Sequence, residues 1–169
     1  MERKINPHDL LVALLLVQSS LERRSDAFFQ PFGLTSAQFN ILNLLGHREG
    51  RMDQAELVDQ LLVGKSSISI VLNRMVRDGL IKREQHPKDR RQVVLILTTK
   101  GRALWRKISP LYEKEVQEVF GSLPGKRRDP FLDDLEILYD ALKRSSEAGS
   151  GETSSPALRE TLDQLASIS

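Results

Sequence analysis

The stretch from Leu57 to Thr99 decides the fold, and it reads LVDQLLVGKSSISIVLNRMVRDGLIKREQHPKDRRQVVLILTT. Four runs of regular hydrophobic pattern lie within it or overlap its start: Asp53–Leu61, Ser66–Asp78, Leu80–His86 and Val93–Leu97. The first two have helical spacing and are separated by a Gly-containing turn, and the second ends at Gly79, a residue typical of helix C-termini. The last two have strand character and flank a charged loop. Two short helices followed by a hairpin predict a winged helix-turn-helix.

The second helical run has two chemically different faces. The positions predicted to be buried follow the i, i+3, i+4, i+7, i+8 spacing, and they are Ile68, Val71, Leu72, Met75 and Val76. The opposite face carries Ser66, Ser67, Ser69, Ile70, Asn73, Arg74 and Arg77. Its hydroxyls, amide and guanidinium groups, without a carboxylate, suit base edges and phosphates. An ordinary solvated helix face is the alternative interpretation of the same pattern.

The distribution of charge favours the first interpretation. Between Lys65 and Lys107 there are twelve basic and three acidic residues, whereas the remainder of the chain holds thirteen basic and twenty acidic residues. The formal net charge of +2 therefore hides a strongly basic middle in an acidic chain. Such a segment is the electrostatic footprint of a protein that binds a polyanion.

Several short motifs in this region resemble the MarR family of transcriptional regulators. They are Gly79-Leu80-Ile81-x-Arg83, Asp89-Arg90-Arg91, Leu97-Thr98-x-x-Gly101, the helix start Ser66-Ser67-Ile68-Ser69 and the upstream Leu57-Val58-x-x-Leu61. The resemblance extends from about Asp9 to Arg144. It implies a mainly α fold with a small β-hairpin wing, in which long N- and C-terminal helices form a dimer. It also implies a sequence-specific DNA-binding regulator, expected to be a repressor of pseudo-palindromic operators.

The family usually binds a small effector, often aromatic or anionic, between the dimerisation helices and the DNA-binding lobe. We therefore expect double-stranded DNA and a second copy of the chain as partners, and no protein-bound cofactor. Residues 1–34 and 99–145 are expected to serve dimerisation, and residues 35–98 to form the DNA-binding lobe. Residues 146–169 are rich in Ser, Gly and Glu at first and are expected to form a flexible linker and a short tail.

Residues from the helix-turn-helix and the wing are predicted to contact DNA. They are Ser36, Gln38, Lys65, Ser66, Ser67, Ser69, Ile70, Asn73, Arg74, Arg77, Lys88, Asp89, Arg90 and Arg91. Arg91 is expected to enter the minor groove, where narrow A·T-rich sequence attracts a guanidinium. Asp89 is expected to hold a neighbouring arginine in one rotamer, and Lys88 and Arg90 to meet phosphates.

Ser36 and Gln38 lie in Thr35-Ser36-Ala37-Gln38, which has the form of a capping box before a helix. Capping alone explains this pattern. A phosphate contact at the same helix start is the functional interpretation, because helix N-termini favour anions.

The segments outside the DNA-binding lobe carry their own expectations. Leu10–Val17 is apolar on every side of a predicted helix, so it should be buried, most simply by a second subunit. Pro110 should kink or end the long helix that Thr98 begins, and Asp129-Pro130 is expected to begin the last helix. Residues 157–168 have helical spacing and form either a docking helix or a frayed tail.

The sequence also argues against several classes of function. Without cysteine there are no disulfides or thiolate metal sites, and no motif of an enzyme is present. The Leu10–Val17 run is too short to span a bilayer and lacks the flanks of a secretion signal, so we expect a cytoplasmic protein. Two alternatives stay open: a winged-helix module that binds protein, and a metal-responsive regulator that would use His8, His47 or His86.

Overall fold

A computed structural model describes residues 4–61, 65–86, 89, 92–150, 158–159 and 162, although in 145–150 and at a few other positions it describes only the backbone. The helices are α1 (Pro7–Phe29), α2 (Ser36–His47), α3 (Gln54–Gln60), α4 (Lys65–Arg77), α5 (Thr99–Phe120) and α6 (Gly125–Ser150). The strands are β1 (Arg51–Asp53), β2 (Ile81–Gln85) and β3 (Val93–Leu97), and a 3₁₀ turn (Gln30–Phe32) follows α1. The predicted mainly α fold with a small wing is confirmed.

The sheet has one strand more than the sequence predicted. Its order is β1-β3-β2, with both pairs antiparallel, so β3 is the central strand. We expected residues 47–52 to form a polar loop, because three residues are too few to show a strand periodicity. Glu49 and Gly50 adopt positive φ angles of 56° and 84° and turn the chain back, and the Leu97 amide donates to the Gly50 carbonyl at 2.8 Å. β1 then pairs with the free edge of β3 and satisfies backbone hydrogen-bonding groups along that edge.

Side-chain caps start three of the helices, and those of α2 and α5 lie where the sequence predicted. Asn6 and Asp9 form a reciprocal capping box at α1, and Thr35 and Gln38 form one at α2. The Thr98 hydroxyl accepts a hydrogen bond from the Gly101 amide at α5. Each cap satisfies amides that the first helical turn would otherwise leave without a partner.

Two helix boundaries differ from the prediction. α6 begins at Gly125, not at Pro130, because the Arg127 amide already bonds to the Pro124 carbonyl at 2.8 Å and a proline at the sixth helical position removes only one donor. α6 also continues to Ser150, past the predicted end of the dimerisation segment at residue 145. α5 runs through Pro110 as one helix, so the proline does not end a first segment.

The buried core lies among α2, α3, α4 and the sheet and not along the exposed lengths of the long helices. Its fully buried side chains come from the end of α1, from α2, α3, α4, the sheet and α5, and they include Phe29, Phe39, Leu42, Leu45, Leu57, Leu72, Met75, Leu95 and Ile108. The start of α1 and α6 expose large apolar residues instead, such as Leu16 at 64% and Leu142 at 67%. The predicted burial of Leu10–Val17 is therefore not achieved within one chain. Among the helices that the structure describes, none has both the length and the apolar character that crossing a bilayer requires.

The described part of the tail contacts α6. Leu158, Arg159 and Leu162 are helical, and the Arg159 guanidinium forms an ion pair with Glu136 at 2.8 Å and a second one with Asp133. Of the two alternatives for residues 157–168, these contacts favour a docking helix. Its other residues lie outside the described part of the chain.

Candidate nucleic-acid interface

Helix α4 presents the surface that was predicted to contact DNA. Ile68, Leu72 and Met75 are at most 3% exposed and attach the helix to the core, which confirms the predicted buried stripe at these positions. On the opposite side Ser69, Ile70, Asn73, Arg74 and Arg77 are exposed, and Ile70 reaches 73%. An exposed apolar side chain at this position suits contact with the methyl group of thymine. The side chains of Lys65, Ser66 and Ser67 lie outside the described set.

The Leu97-Thr98-x-x-Gly101 motif ties the end of α4 to the start of α5. Gly79 takes the left-handed conformation at φ +70° and ends α4, as its position in the sequence predicted. The Thr98 hydroxyl lies 2.6 Å from the carbonyl of Gly79, to which it donates, while the Thr98 amide donates to the carbonyl of Leu80 at 3.1 Å. A Cβ at Gly101 would lie 2.0 Å from that carbonyl oxygen, so only glycine allows this close approach. The end of α4 and the start of α5 are therefore held in close contact.

Two polar contacts orient side chains on the exposed face of α4. The Arg83 guanidinium, on β2, donates from Nη1 to the Asn73 Oδ1 at 2.7 Å. Arg74 approaches Asp78 at 3.7 Å, one turn further along the helix. The Lys100 ammonium donates to the Asp78 carbonyl at 2.7 Å and adds a positive charge where the helix dipole is negative.

The wing is described at its base and at Asp89. The His86 amide donates to the Gln92 carbonyl at 3.0 Å, and the Gln92 amide donates to the Asp89 carbonyl at 3.0 Å, so the hairpin closes tightly behind its tip. Asp89 itself is half-buried. Lys88, Arg90 and Arg91 lie outside the described residues, and their DNA contacts stay predictions.

At the start of α2 the capping interpretation is correct for Gln38. The side chain of Gln38 is 2% exposed, and its Oε1 accepts from the Thr35 amide at 2.9 Å. The cap uses the carbonyl oxygen of Gln38 and its side chain is buried, so the structure favours the capping interpretation, and a DNA contact by Gln38 stays a prediction. Ser36 is half-buried at the same helix start, and its phosphate contact stays a prediction.

A cavity of about 200 Å³ lies between α1 and α5. Its walls combine aromatic and aliphatic side chains with one ion pair, and they are formed by Leu21, Arg24, Ser25, Phe28, Phe29, Tyr112, Glu115, Val116, Val119 and Phe120. Arg24 Nε donates to Glu115 Oε1 at 2.5 Å, and this hydrogen bond raises the pKa of Arg24 further. Burial raises the pKa of Tyr112 above its usual value of 10.0, with a smaller contribution from Glu113.

The sequence interpretation missed this cavity and the Arg83–Asn73 contact. The cavity left a weak signal, because Leu21, Arg24, Ser25 and Phe28 recur at the spacing of one helix face. Nothing in the sequence indicated which segment lies opposite that face. For the metal-responsive alternative, the described residues contain no group of three or more His, Asp or Glu side chains placed to hold a metal ion.

Comparisons with known proteins show which proteins this chain resembles in sequence and in fold. The sequence profile of the MarR family matches residues 32–92. The transcriptional repressor YetL of Bacillus subtilis is 27% identical over 135 residues, which cover 79% of this chain and 81% of YetL. AbsC, a MarR family regulator from Streptomyces coelicolor, superposes with a TM-score of 0.67 at 30% identity, covering 89% of this chain and all of AbsC.

A third relative has been crystallised with DNA. The MepR–DNA complex of S. aureus superposes with a TM-score of 0.70 at 20% identity, covering 78% of this chain and 96% of MepR. That similarity concerns the fold, whereas the identity to AbsC extends over nearly the whole chain. The chain therefore belongs to the MarR family, and it is a DNA-binding transcriptional regulator.

Proposed function

We propose that this protein is a repressor that binds a pseudo-palindromic operator as a homodimer. The observation that carries the proposal is the exposed face of α4, which projects Asn73, Arg74 and Arg77 from a helix anchored in the core. Its amide and guanidinium groups suit direct readout in the major groove. In a dimer the two α4 helices would enter successive major grooves about 34–36 Å apart.

The apolar surface of the long helices supports the dimer. Leu11 and Leu16 on α1 are 52% and 64% exposed, and Phe131 and Leu142 on α6 are 49% and 67% exposed. Contiguous apolar surface of this kind typically marks an interface in a protein dissolved in water. Because both helices present it, a symmetric contact between two copies would cover both at once.

The cavity between α1 and α5 supports a small effector. An engineered cavity of about 150 Å³ takes up benzene, so a space of this size can hold one aromatic ring. The rings of Phe28, Phe29 and Tyr112 offer stacking surfaces. Arg24 is paired with Glu115 and Glu118, and a ligand carboxylate would exchange with them for the guanidinium. A ligand there would separate α1 from α5 and, through Thr98 and Gly101, shift the orientation of α4.

The direct test of DNA recognition is selection of bound duplexes from a random pool by the full-length chain. We expect two inverted half-sites separated by about one helical turn. In titrations on the selected duplex, Arg74→Ala should lower cognate affinity by about 1–3 kcal/mol if the guanidinium reads a base. If no sequence is enriched and the affinity for DNA does not change with salt concentration, the alternative of a protein-binding module is favoured.

The effector site is tested with matched probes. Benzoate and benzyl alcohol share a ring and differ in charge, so Arg24 should favour benzoate. We expect benzoate to weaken operator binding in the wild type and to do so less in Arg24→Met. Equal responses of the two proteins would contradict the assignment of the cavity.

A further inference from the structure

A hydrogen bond joins β2 to α4, and the chemistry of its two side chains fixes which one donates and which one accepts. Arg83 Nη1 lies 2.7 Å from the side-chain oxygen of Asn73. A guanidinium has only hydrogen-bond donors, so the group of Asn73 that faces it must be the oxygen and not the nitrogen. The Asn73 carboxamide is thereby held in one of its two orientations, with Nδ2 turned away from Arg83.

The sheet register explains why Arg83 reaches this position. In the antiparallel pair, Ile81 lies opposite Leu97 and Arg83 lies opposite Leu95, so all four share one face of the sheet. Ile81, Leu95 and Leu97 are buried on that face. Arg83 continues the same row beyond the edge of the core, where it meets the exposed flank of α4.

The neighbouring lysine shows that charge on this strand is not enough to make the contact. Lys82 alternates to the opposite face of the sheet and pairs there with Glu84, with 2.5 Å between Nζ and Oε1. Arg83 and Lys82 therefore carry the same charge on adjacent residues, but only Arg83 contacts α4. This arrangement offers a matched control for any effect of charge alone.

We propose that Arg83 is a positioning residue that sets the base preference of Asn73. The inference rests on the proposed function, in which Asn73 reads a base edge. With one lone pair of its oxygen engaged by Arg83, Asn73 presents Nδ2 as a donor and selects a base with a major-groove acceptor, which guanine, adenine and thymine all carry. Cytosine offers only its N4 donor in the major groove, and pairing with it needs the carboxamide turned so that the oxygen faces the base, the orientation that the contact with Arg83 disfavours.

Removing Arg83 should therefore change the base discrimination as well as the affinity. In Arg83→Met the carboxamide is free to turn its oxygen toward the base and to accept a hydrogen bond from cytosine. We expect the discrimination against cytosine at the position that Asn73 reads to fall by about tenfold, the scale of one directed side-chain contact. Arg83→Lys keeps the charge but replaces the planar guanidinium by a compact ammonium on a flexible stem. Its base preference should therefore lie between those of the wild type and Arg83→Met.

The experiment compares duplexes selected by five full-length proteins: the wild type, Arg83→Met, Lys82→Met, Asn73→Ala and the double variant Arg83→Met/Asn73→Ala. Thermal melts first establish that all are folded. Lys82→Met should leave the base profile unchanged. The double variant should reproduce the profile of Asn73→Ala, because Arg83 acts on the profile through Asn73.

Two results separate the failure of this inference from the failure of the proposed function. In the first, Asn73→Ala changes the base preference at one position of the half-site, whereas Arg83→Met changes it at none and only lowers the slope of log affinity against log salt concentration by about 1. Arg83 is then a phosphate ligand, and the inference is overturned. If Asn73→Ala alters no position, Asn73 reads no base. Its assigned part in the proposed function then fails, and the inference fails with it.

Discussion

Replacing Gly101 by alanine tests whether the junction of α4 and α5 holds the DNA-binding lobe together. The added Cβ would lie 2.0 Å from the Leu80 carbonyl oxygen, 3.0 Å from its carbon and 3.2 Å from Leu97 Cδ2. An ordinary contact needs 3.4 Å or more, so the α5 start must withdraw by about 1.4 Å. The nearest obstacle is backbone, which no rotamer change can move aside.

The expected loss of stability follows from three terms. Overpacking at a close contact costs about 1–3 kcal/mol. Withdrawal of α5 also stretches the hydrogen bond from the Thr98 amide to the Leu80 carbonyl, a loss of about 1 kcal/mol. Alanine in a helix offsets about 1 kcal/mol of this total relative to glycine. We therefore expect the free energy of unfolding to fall by about 1–3 kcal/mol.

The assay is urea unfolding at one fixed protomer concentration, because the stability of a dimer depends on concentration. Gly125→Ala is the matched control, since a Cβ there meets nothing within 4 Å at the start of α6. It should leave stability unchanged or raise it by a few tenths of a kcal/mol. If Gly101→Ala were as stable as the control and bound DNA normally, the tight junction described for Thr98 and Gly101 would be refuted.

Three further predictions concern the wing, the dimer and the cavity. Asp89→Ala should weaken operator binding several-fold, and Arg91→Ala should do the same, since ordering an unsupported arginine on binding costs about 0.5–1.5 kcal/mol. Tighter binding of Asp89→Ala in a titration at fixed salt would refute this role. Leu15→Glu should shift the sedimenting species from twice the chain mass to one chain mass at micromolar concentration, because Leu15 is 54% exposed within the proposed interface. Burial raises the pKa of the Tyr112 hydroxyl, so the contribution of neutral Tyr112 to stability is fully present below pH 10 and is lost as the pH rises through the folded-state pKa. In denaturation experiments at alkaline pH, Tyr112→Phe should not show this loss of stability.

Local patterns were sufficient to predict most elements of this fold. The buried stripe of α4, the stop at Gly79 and the caps at Thr35 and Thr98 all depend on residues within a few positions of each other. Such interactions are formed inside one helix or one turn, so sequence spacing determines them. The basic middle of the chain likewise needed no structure to be recognised.

The start of α6 and the strand β1 were predicted incorrectly because their signals are weak or ambiguous. Pro130 resembles the first residue of a helix, but proline also occurs a turn later when the preceding residues already form helical hydrogen bonds. Arg51–Asp53 is too short for an alternating pattern and becomes a strand only because β3 lies beside it. The error at β1 arose because a neighbouring strand and not the local sequence made the choice, whereas the error at α6 arose because the local signal was ambiguous.

The sequence by itself determined most of the helices, the two strands of the wing, the caps at Thr35 and Thr98 and the chemical character of the α4 face. Only the tertiary structure decided which distant groups meet: Arg83 with Asn73, Arg24 with Glu115, and Gly101 with the Leu80 carbonyl. It also decided that Gln38 is buried, although its position in a capping box allowed an exposed side chain. The physical reason is that helix and turn hydrogen bonds are local, whereas packing joins residues through the sheet register and the close approach of helices that no spacing in the chain encodes.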